Sequence, residues 1–310
     1  MNKTVKAICL AAAAMIAMGI VMTGAGLLLG ARHLPAGSWD RYYGLHEDDD
    51  DQSFQLTKGG GEAEAFANIN VDASFLRIKL KPGKDYSVEY SYDSRYSKVS
   101  HEVKDGTLFV EEKVYRENDF NLDFLRRRRE GVIVTIAYPE KTRFENVDLS
   151  GAMTDVKIQD LAADELKMDS NMGVLTLKNV EADKLVLNTE MGDINIENVS
   201  VKTADIASQM GAITAKRFTC AENLEVGVTM GSVKIAGDLT GKSYIRSEAG
   251  GVALDLSRPE EEYSYELNAS VGSVKINGRS TEDRGSASKN QGANYLEINC
   301  SAGGLSVDFQ

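Results

Sequence analysis

The chain has 310 residues, enough for one large or two ordinary domains, and carries 47 acidic against 35 basic residues for a net charge of −12. That balance excludes a general nucleic-acid binder, which needs a basic face. Cys9, Cys220 and Cys300 show no CxxC spacing, which excludes a structural zinc site and a disulfide-stapled small domain. Cys220 and Cys300 fall at different repeat phases and are expected to stay unpaired.

Residues 1–6 read as a short cytoplasmic tail. They are followed by 24 residues without a charge, Ala7 to Gly30. As a helix that run spans about 36 Å, enough to cross a hydrocarbon core of about 30 Å. It is too long for the apolar region of a cleaved signal peptide, and Leu29 and Ala31 make a poor cleavage pair. With Lys3 and Lys6 ahead of it, the run is expected to be a transmembrane signal-anchor over 7–30, leaving the bulk of the chain outside the cytoplasm. Residues 31–62, which include the acidic run Glu47–Asp51, read as a flexible tether. Consecutive aspartates there cannot converge on one calcium ion.

From Ala65 the chain alternates with period two, the mark of half-buried strands. The segments ANINVDA, FLRIKL, YSVEYSY, KVSHEV, TLFVEEKV and GVIVTIAYP make an N-terminal β-strand section over 63–145. Short connections such as Asp105-Gly106 predict antiparallel pairs within residues 85–115. The basic run Arg126–Arg129 is expected in a solvated loop, balanced by Glu117, Asp119, Asp123 and Glu130.

Residues 146–310 repeat. An anchor position falls at Thr154, Gly173, Gly192, Gly211, Gly231, Gly250, Gly272 and Gly303, at intervals of 19, 19, 19, 20, 19, 22 and 31. Two and four residues after each anchor stand aliphatic pairs such as Leu175 and Leu177, or Ile194 and Ile196. Seven and five residues before it stand pairs such as Leu185 and Leu187; only Ser243 departs from this. Each period therefore holds two short strands meeting at a glycine, which accepts positive φ and close backbone approach. The expected fold is all-β: a right-handed parallel β-helix of about 19–20 residues per coil, each coil stacked on the last. The same parity puts the residue before each anchor inside: Met153, Met172, Met191, Met210, Met230, Ala249, Val271 and Ala302. Methionine would fill the corner of the core there.

Chemistry is sparse. A methionine column invites a soft-metal track, but the column turns into Ala249, Val271 and Ala302 with no histidine or cysteine following it, so core packing is expected. Asp155 and Asp193 share a phase that no later turn continues, which rules out a calcium-binding repeat. Of three histidines, His33 and His46 lie in the tether, leaving only His101 for a triad. Asp160, Asp164 and Glu165 are expected in a solvated loop. The long last interval contains NGRSTEDRGSASKNQGANY, expected as a surface loop. No catalytic, cofactor, metal or binding residue is assigned, and no enzymatic activity is expected.

The pattern VIVTIAYP followed by FENVDLSGAMTDVKIQDLAADELKMDSNMGVLTLKNVEADKLVLNTEMGDINIENV resembles the bacterial "putative adhesin" β-strand-repeat family, a domain of unknown function, over residues 65–310. The resemblance implies a membrane-tethered or secreted β-solenoid. It further implies a non-enzymatic adhesin-like or scaffold role, binding envelope or extracellular polymers or proteins through exposed sheet faces. Alternatives are an accessory to cell-envelope stress signalling that contacts a membrane sensor and, more remotely, a carbohydrate-active β-helix enzyme.

Overall fold

A computed structural model describes residues 56–94, 97–115, 133–281 and 285–310. The expected cytoplasmic tail, the signal-anchor 7–30 and Arg126–Arg129 lie outside the described residues. Among the described residues no helix is long and apolar enough to cross a membrane.

Among the described residues the fold is all-β, with 21 strands in one open, unclosed sheet and a single 3-10 turn at Glu260–Glu262. The repeat builds its middle. Strands Val156–Met172, Leu175–Met191, Ile194–Met210 and Ile213–Met230 pair in parallel, each residue opposite its counterpart 19 or 20 positions away. Leu175 faces Val156 and Ile194, and Leu187 faces Met168 and Ile206. The expected inward residues two and four after, and seven and five before, each anchor are buried; among them only Ile276, in the shortest rung, is half-buried. Parallel register stacks each aliphatic on its equals, so the hydrophobic lining is continuous along the ladder.

Each rung turns at the anchor. Gly192 has φ 153°, and a Cβ built there would sit 1.8 Å from the carbonyl oxygen of Gly173. Only glycine fits, as the repeat predicted. The first anchor, Thr154, instead buries its side chain and donates from Oγ1 to the Ala73 carbonyl at 3.0 Å.

The methionine column corrects the expectation. Met172, Met191, Met210 and Met230 are 36 %, 40 %, 39 % and 51 % exposed, Met153 is half-buried, and Val271 is 63 % exposed. Strict alternation stops three residues before the anchor, where Ser170, Thr189 and Ser208 occupy the inner corner. The next two residues both face outward as the chain rounds the bend. Ser170 Oγ donates to the Thr154 carbonyl at 3.1 Å, and Ser208 Oγ to that of Gly192 at 3.4 Å. A short hydroxyl thus fills the place expected of methionine.

A second bend divides the period between successive glycine bends. Six residues after the anchor, Asp160, Asn179, Asn198 and Arg217 take φ of 53°, 53°, 56° and 49°. Asparagine and aspartate enter this left-handed region more readily than most residues. The side chains stack: Asn179 Nδ2 donates to Asp160 Oδ1 at 2.6 Å, and Asn198 Nδ2 to Asn179 Oδ1 at 2.8 Å. Asp160, Asp164 and Glu165 accordingly lie within strand Val156–Met172, not in a loop.

The ends depart from chain order, another correction. The last rung, Asn294–Ala302 with Leu305–Phe309, does not stack on the outside. It inserts between Lys242–Ala249 with Val252–Leu256 on one side and Tyr263–Val271 with Val274–Ile276 on the other. The N-terminal end mirrors this. Asn68–Ala73 with Arg77–Gly83 lies between the rung of Thr107–Val114 with Ile133–Pro139 and the rung running through Thr154. The parallel strands Asn68–Ala73, Arg77–Gly83, Thr107–Val114 and Ile133–Pro139 are therefore rungs of the same stack, not a separate section.

Antiparallel strands cover both outermost edges. At the first end, Ser97–Lys104 covers Thr107–Val114 through the expected Asp105-Gly106 turn, and Ser87–Asp93 covers Ile133–Pro139. Leu56–Glu62, expected as the end of the tether, pairs with Ser87–Asp93. At the other end, Ser286–Lys289 covers Tyr263–Val271, and Arg279–Ser280 covers Val274–Ile276. The expected surface loop in the long interval thus contributes edge strands, which satisfy backbone groups that would otherwise invite aggregation.

Candidate functional site

Just before the glycine bend, the outward positions of successive rungs form a groove of about 590 Å³. Four residues before the anchor, its wall runs through Asp169, Asn188, Ala207, Gly227 and Arg246. Two residues before the anchor it runs through Asn171, Glu190, Gln209, Thr229 and Glu248. The wall dips at Ala207 and Gly227, where a Cβ added to Gly227 would meet nothing within 4 Å. Amides and carboxylates flank the dip on one side, and Arg246 with Glu248 on the other. Asn188 Nδ2 donates to Asp169 Oδ1 at 2.8 Å, and Lys167 Nζ pairs with Asp169 Oδ2 at 2.6 Å. The exposed methionines adjoin the groove by one residue, giving a polar furrow beside an apolar ridge.

The opposite bend carries a second, smaller groove of about 400 Å³ along Asp160, Asn179, Asn198 and Arg217. Its surroundings are dominated by ion pairs between rungs. Arg143 reaches three carboxylates, Asp164 at 2.7 Å, Glu181 at 3.2 Å and Asp183 at 3.1 Å. The hydrogen bond to Asp164 leads in holding the Arg143 guanidinium above its ordinary pKa. Lys202, 2.9 Å from Asp183, holds that carboxyl below the usual carboxylate range, with Arg143 contributing less. Lys184 with Glu165 and Arg217 with Glu197 repeat the theme at 2.8 and 2.5 Å. These exposed pairs each contribute little to stability, but they commit the carboxylates to neighbouring rungs.

Among the described residues no group of three or more His, Cys, Asp or Glu side chains converges as a metal site. Cys220 and Cys300 are free and buried, and burial pushes the Cys220 thiol up to about 11. His101 packs edge-on against Tyr90, with ring centroids 5.5 Å apart. His33 and His46 lie outside the described residues. Sequence reasoning assigned no binding residue, and it missed the groove because the lining positions vary between Asn, Glu, Gln, Thr and Arg. The asparagine corner had a readable signal: Asp160, Asn179 and Asn198 recur at one phase, each followed by an inward aliphatic.

The profile of the Toastrack DUF4097 family matches residues 66–308. None of the curated proteins matches the chain. Among solved structures, the chain is similar to a "putative adhesin" from Bacteroides fragilis, at 16 % identity and a TM-score of 0.41, over 82 % of this chain and 98 % of that one. A "putative adhesin" from Parabacteroides merdae shares 13 % identity at a TM-score of 0.41, over 83 % and 98 %. A "putative cell adhesion protein" from Clostridium sporogenes shares 12 % identity at 0.28, over 83 % and 99 %.

Proposed function

The chain belongs to the Toastrack DUF4097 family, a family of unknown function, and on that premise we propose a non-enzymatic, adhesin-like scaffold that binds envelope or extracellular polymers or proteins. The observation that carries this reading is the groove before the glycine bend. It presents amide, hydroxyl and charged groups on successive rungs at a spacing of about 4.8 Å, suited to an extended ligand with repeated polar groups. In this reading the parallel rungs follow a right-handed coil, the hand nearly all parallel crossovers take. Residues 7–30 anchor the chain in the membrane as a single pass, supported by their uncharged length, and the rungs face outward from the cell.

Binding is tested by immobilising the full-length chain in detergent and passing cell-wall polysaccharide and envelope protein fractions over it. Retention of a fraction by the parent, lost in Arg246→Ala/Glu248→Ala, supports the groove. Absence of any retained fraction, or equal retention by the variant, contradicts it. External protease on intact cells should digest the rungs; full protection would contradict the orientation.

A further inference from the structure

The methionines that were expected to pack the core stand outside it, in register, on adjacent rungs of one rigid ladder. Met153 pairs with Met172, Met172 with Met191, Met191 with Met210, and Met210 with Met230. The chain has ten methionines, and four of them, Met1, Met15, Met18 and Met22, precede the strands. Of the remaining six, all but the buried Met168 belong to this column. Packing requires a methionine at none of these positions, because the inner corner is already filled by Ser170, Thr189 and Ser208.

We propose that the methionine ladder binds a soft monovalent cation of the copper(I) and silver(I) class, held between thioethers of neighbouring rungs and centred on Met191. The spacing suits the task. Two sulfurs facing one ion are separated by about twice a metal–sulfur bond of about 2.3 Å. Neighbouring rungs lie about 4.8 Å apart. The unbranched side chains have the torsional freedom to close the remaining difference.

The surroundings select for softness. The main-chain carbonyls of Met172, Met191 and Met210 already accept from the N–H groups of Thr154, Gly173 and Gly192 at 2.9, 3.0 and 2.9 Å, so the thioethers are the donors that repeat from rung to rung. Asp155 and Asp193 lie one residue beyond their anchors. They accept from the Val174 and Ala212 N–H groups at 2.9 and 2.8 Å, so they lend negative charge while remaining committed. Glu190 precedes Met191 and adds a further negative charge. Uncharged thioethers favour copper(I)-like ions over calcium or magnesium.

The test is a silver(I) titration of the full-length chain in nanodiscs, with methionine methyls carbon-13 labelled and read one by one. Reading each methyl separates the ladder from any silver taken by cysteine thiols. The Met172, Met191 and Met210 methyl signals should move together at micromolar silver, while that of Met168 stays in place. Met191→Leu should weaken binding at the flanking methyls by about tenfold or more, through loss of the shared ligand. Met168→Leu, tested in parallel, should leave the titration unchanged. Ladder signals that stay fixed at micromolar silver, or a Met191→Leu chain that titrates like the parent, would overturn the proposal.

Discussion

The middle of the molecule and its two ends solve the same problem in different ways. From Val156 to Met230, every rung buries aliphatics against the identical positions of its neighbours, and Phe218 is the one aromatic side chain among them. At the ends, rings take over. Phe66 packs on Tyr86 and Phe144 with centroids 4.8 and 5.9 Å apart, and Tyr263 and Tyr265 pack on Phe309 at 5.2 and 6.0 Å. A stack that ended on a bare rung would expose both a hydrophobic face and an unpaired edge. Here one rung at each end, Asn68–Ala73 with Arg77–Gly83 or Asn294–Ala302 with Leu305–Phe309, is threaded inward, and antiparallel strands close the outside. The middle is stabilised by repetition, the ends by interlocking.

Truncation separates the two designs most sharply. Removing residues 294–310 deletes the parallel partner of Tyr263–Val271 and Val274–Ile276, leaving that rung only its short antiparallel covers. Stability should fall by about 5 kcal/mol or more, and amide exchange protection should vanish across 260–290 while persisting across 156–230. Retained protection of 263–276 would show that the last rung does not support it.

Within the middle, parity sets the next largest effect. Ile194→Asp places a carboxylate in the dry lining and should cost about 4 kcal/mol or more, whereas Asn195→Asp, one residue on and facing out, should change stability by about 0.5 kcal/mol or less. Equal melting temperatures would contradict the inward assignment.

The glycines offer a third comparison. Gly192→Ala meets a backbone carbonyl at a positive φ and should cost about 3 kcal/mol, because neither rung can retreat. Gly227→Ala enters open space and should be neutral or stabilising by about 0.5 kcal/mol through the unfolded chain. Chemical denaturation of the two variants reads the difference directly.

The smallest effect lies at the asparagine bend. Asn198→Gly keeps the left-handed conformation and loses the bond to Asn179, so it should cost about 0.5 kcal/mol; Asn198→Ala loses both and should cost about 1–2 kcal/mol. If alanine proved no worse than glycine, backbone conformation would not be what fixes asparagine there.

The contrast between middle and ends also decides how much was legible beforehand. The spacing from Gly173 to Gly250 with Leu175, Leu177 and their counterparts is local information, and it specified the parallel register nearly residue by residue. Met191 was misplaced because alternation was carried into a bend, where the chain leaves period two and turns two successive side chains outward. The threading of Leu305–Phe309 between Val252–Leu256 and Val274–Ile276 left only an indirect trace. After an interval of 31, Gly303 keeps the flanking pattern of the other anchors, and nothing in a periodic strand states which two equivalent rungs it enters between. The strand Leu56–Glu62, LTKGGGE, carries no alternation because it is an edge cover, largely exposed, and is held by backbone bonds to Ser87–Asp93. The groove followed the same logic: its position was implied by the outward phase, while its varied side chains carried no repeat to detect.

Cysteine pairing across the last three rungs tests the interlocked end most directly. Ser306 lies opposite both Ala253 and Lys275, so those two residues are separated by an intervening rung. Adjacent strands about 4.8 Å apart fall within the Cα separation a disulfide spans, and strands two rungs apart do not. On oxidation, Ser306→Cys should cross-link with Ala253→Cys and, in a separate chain, with Lys275→Cys, while Ala253→Cys with Lys275→Cys should stay reduced. A bond between residues 253 and 275, with none from residue 306 to 253, would mean that the final rung stacks outside and that the chain ends are not interlocked.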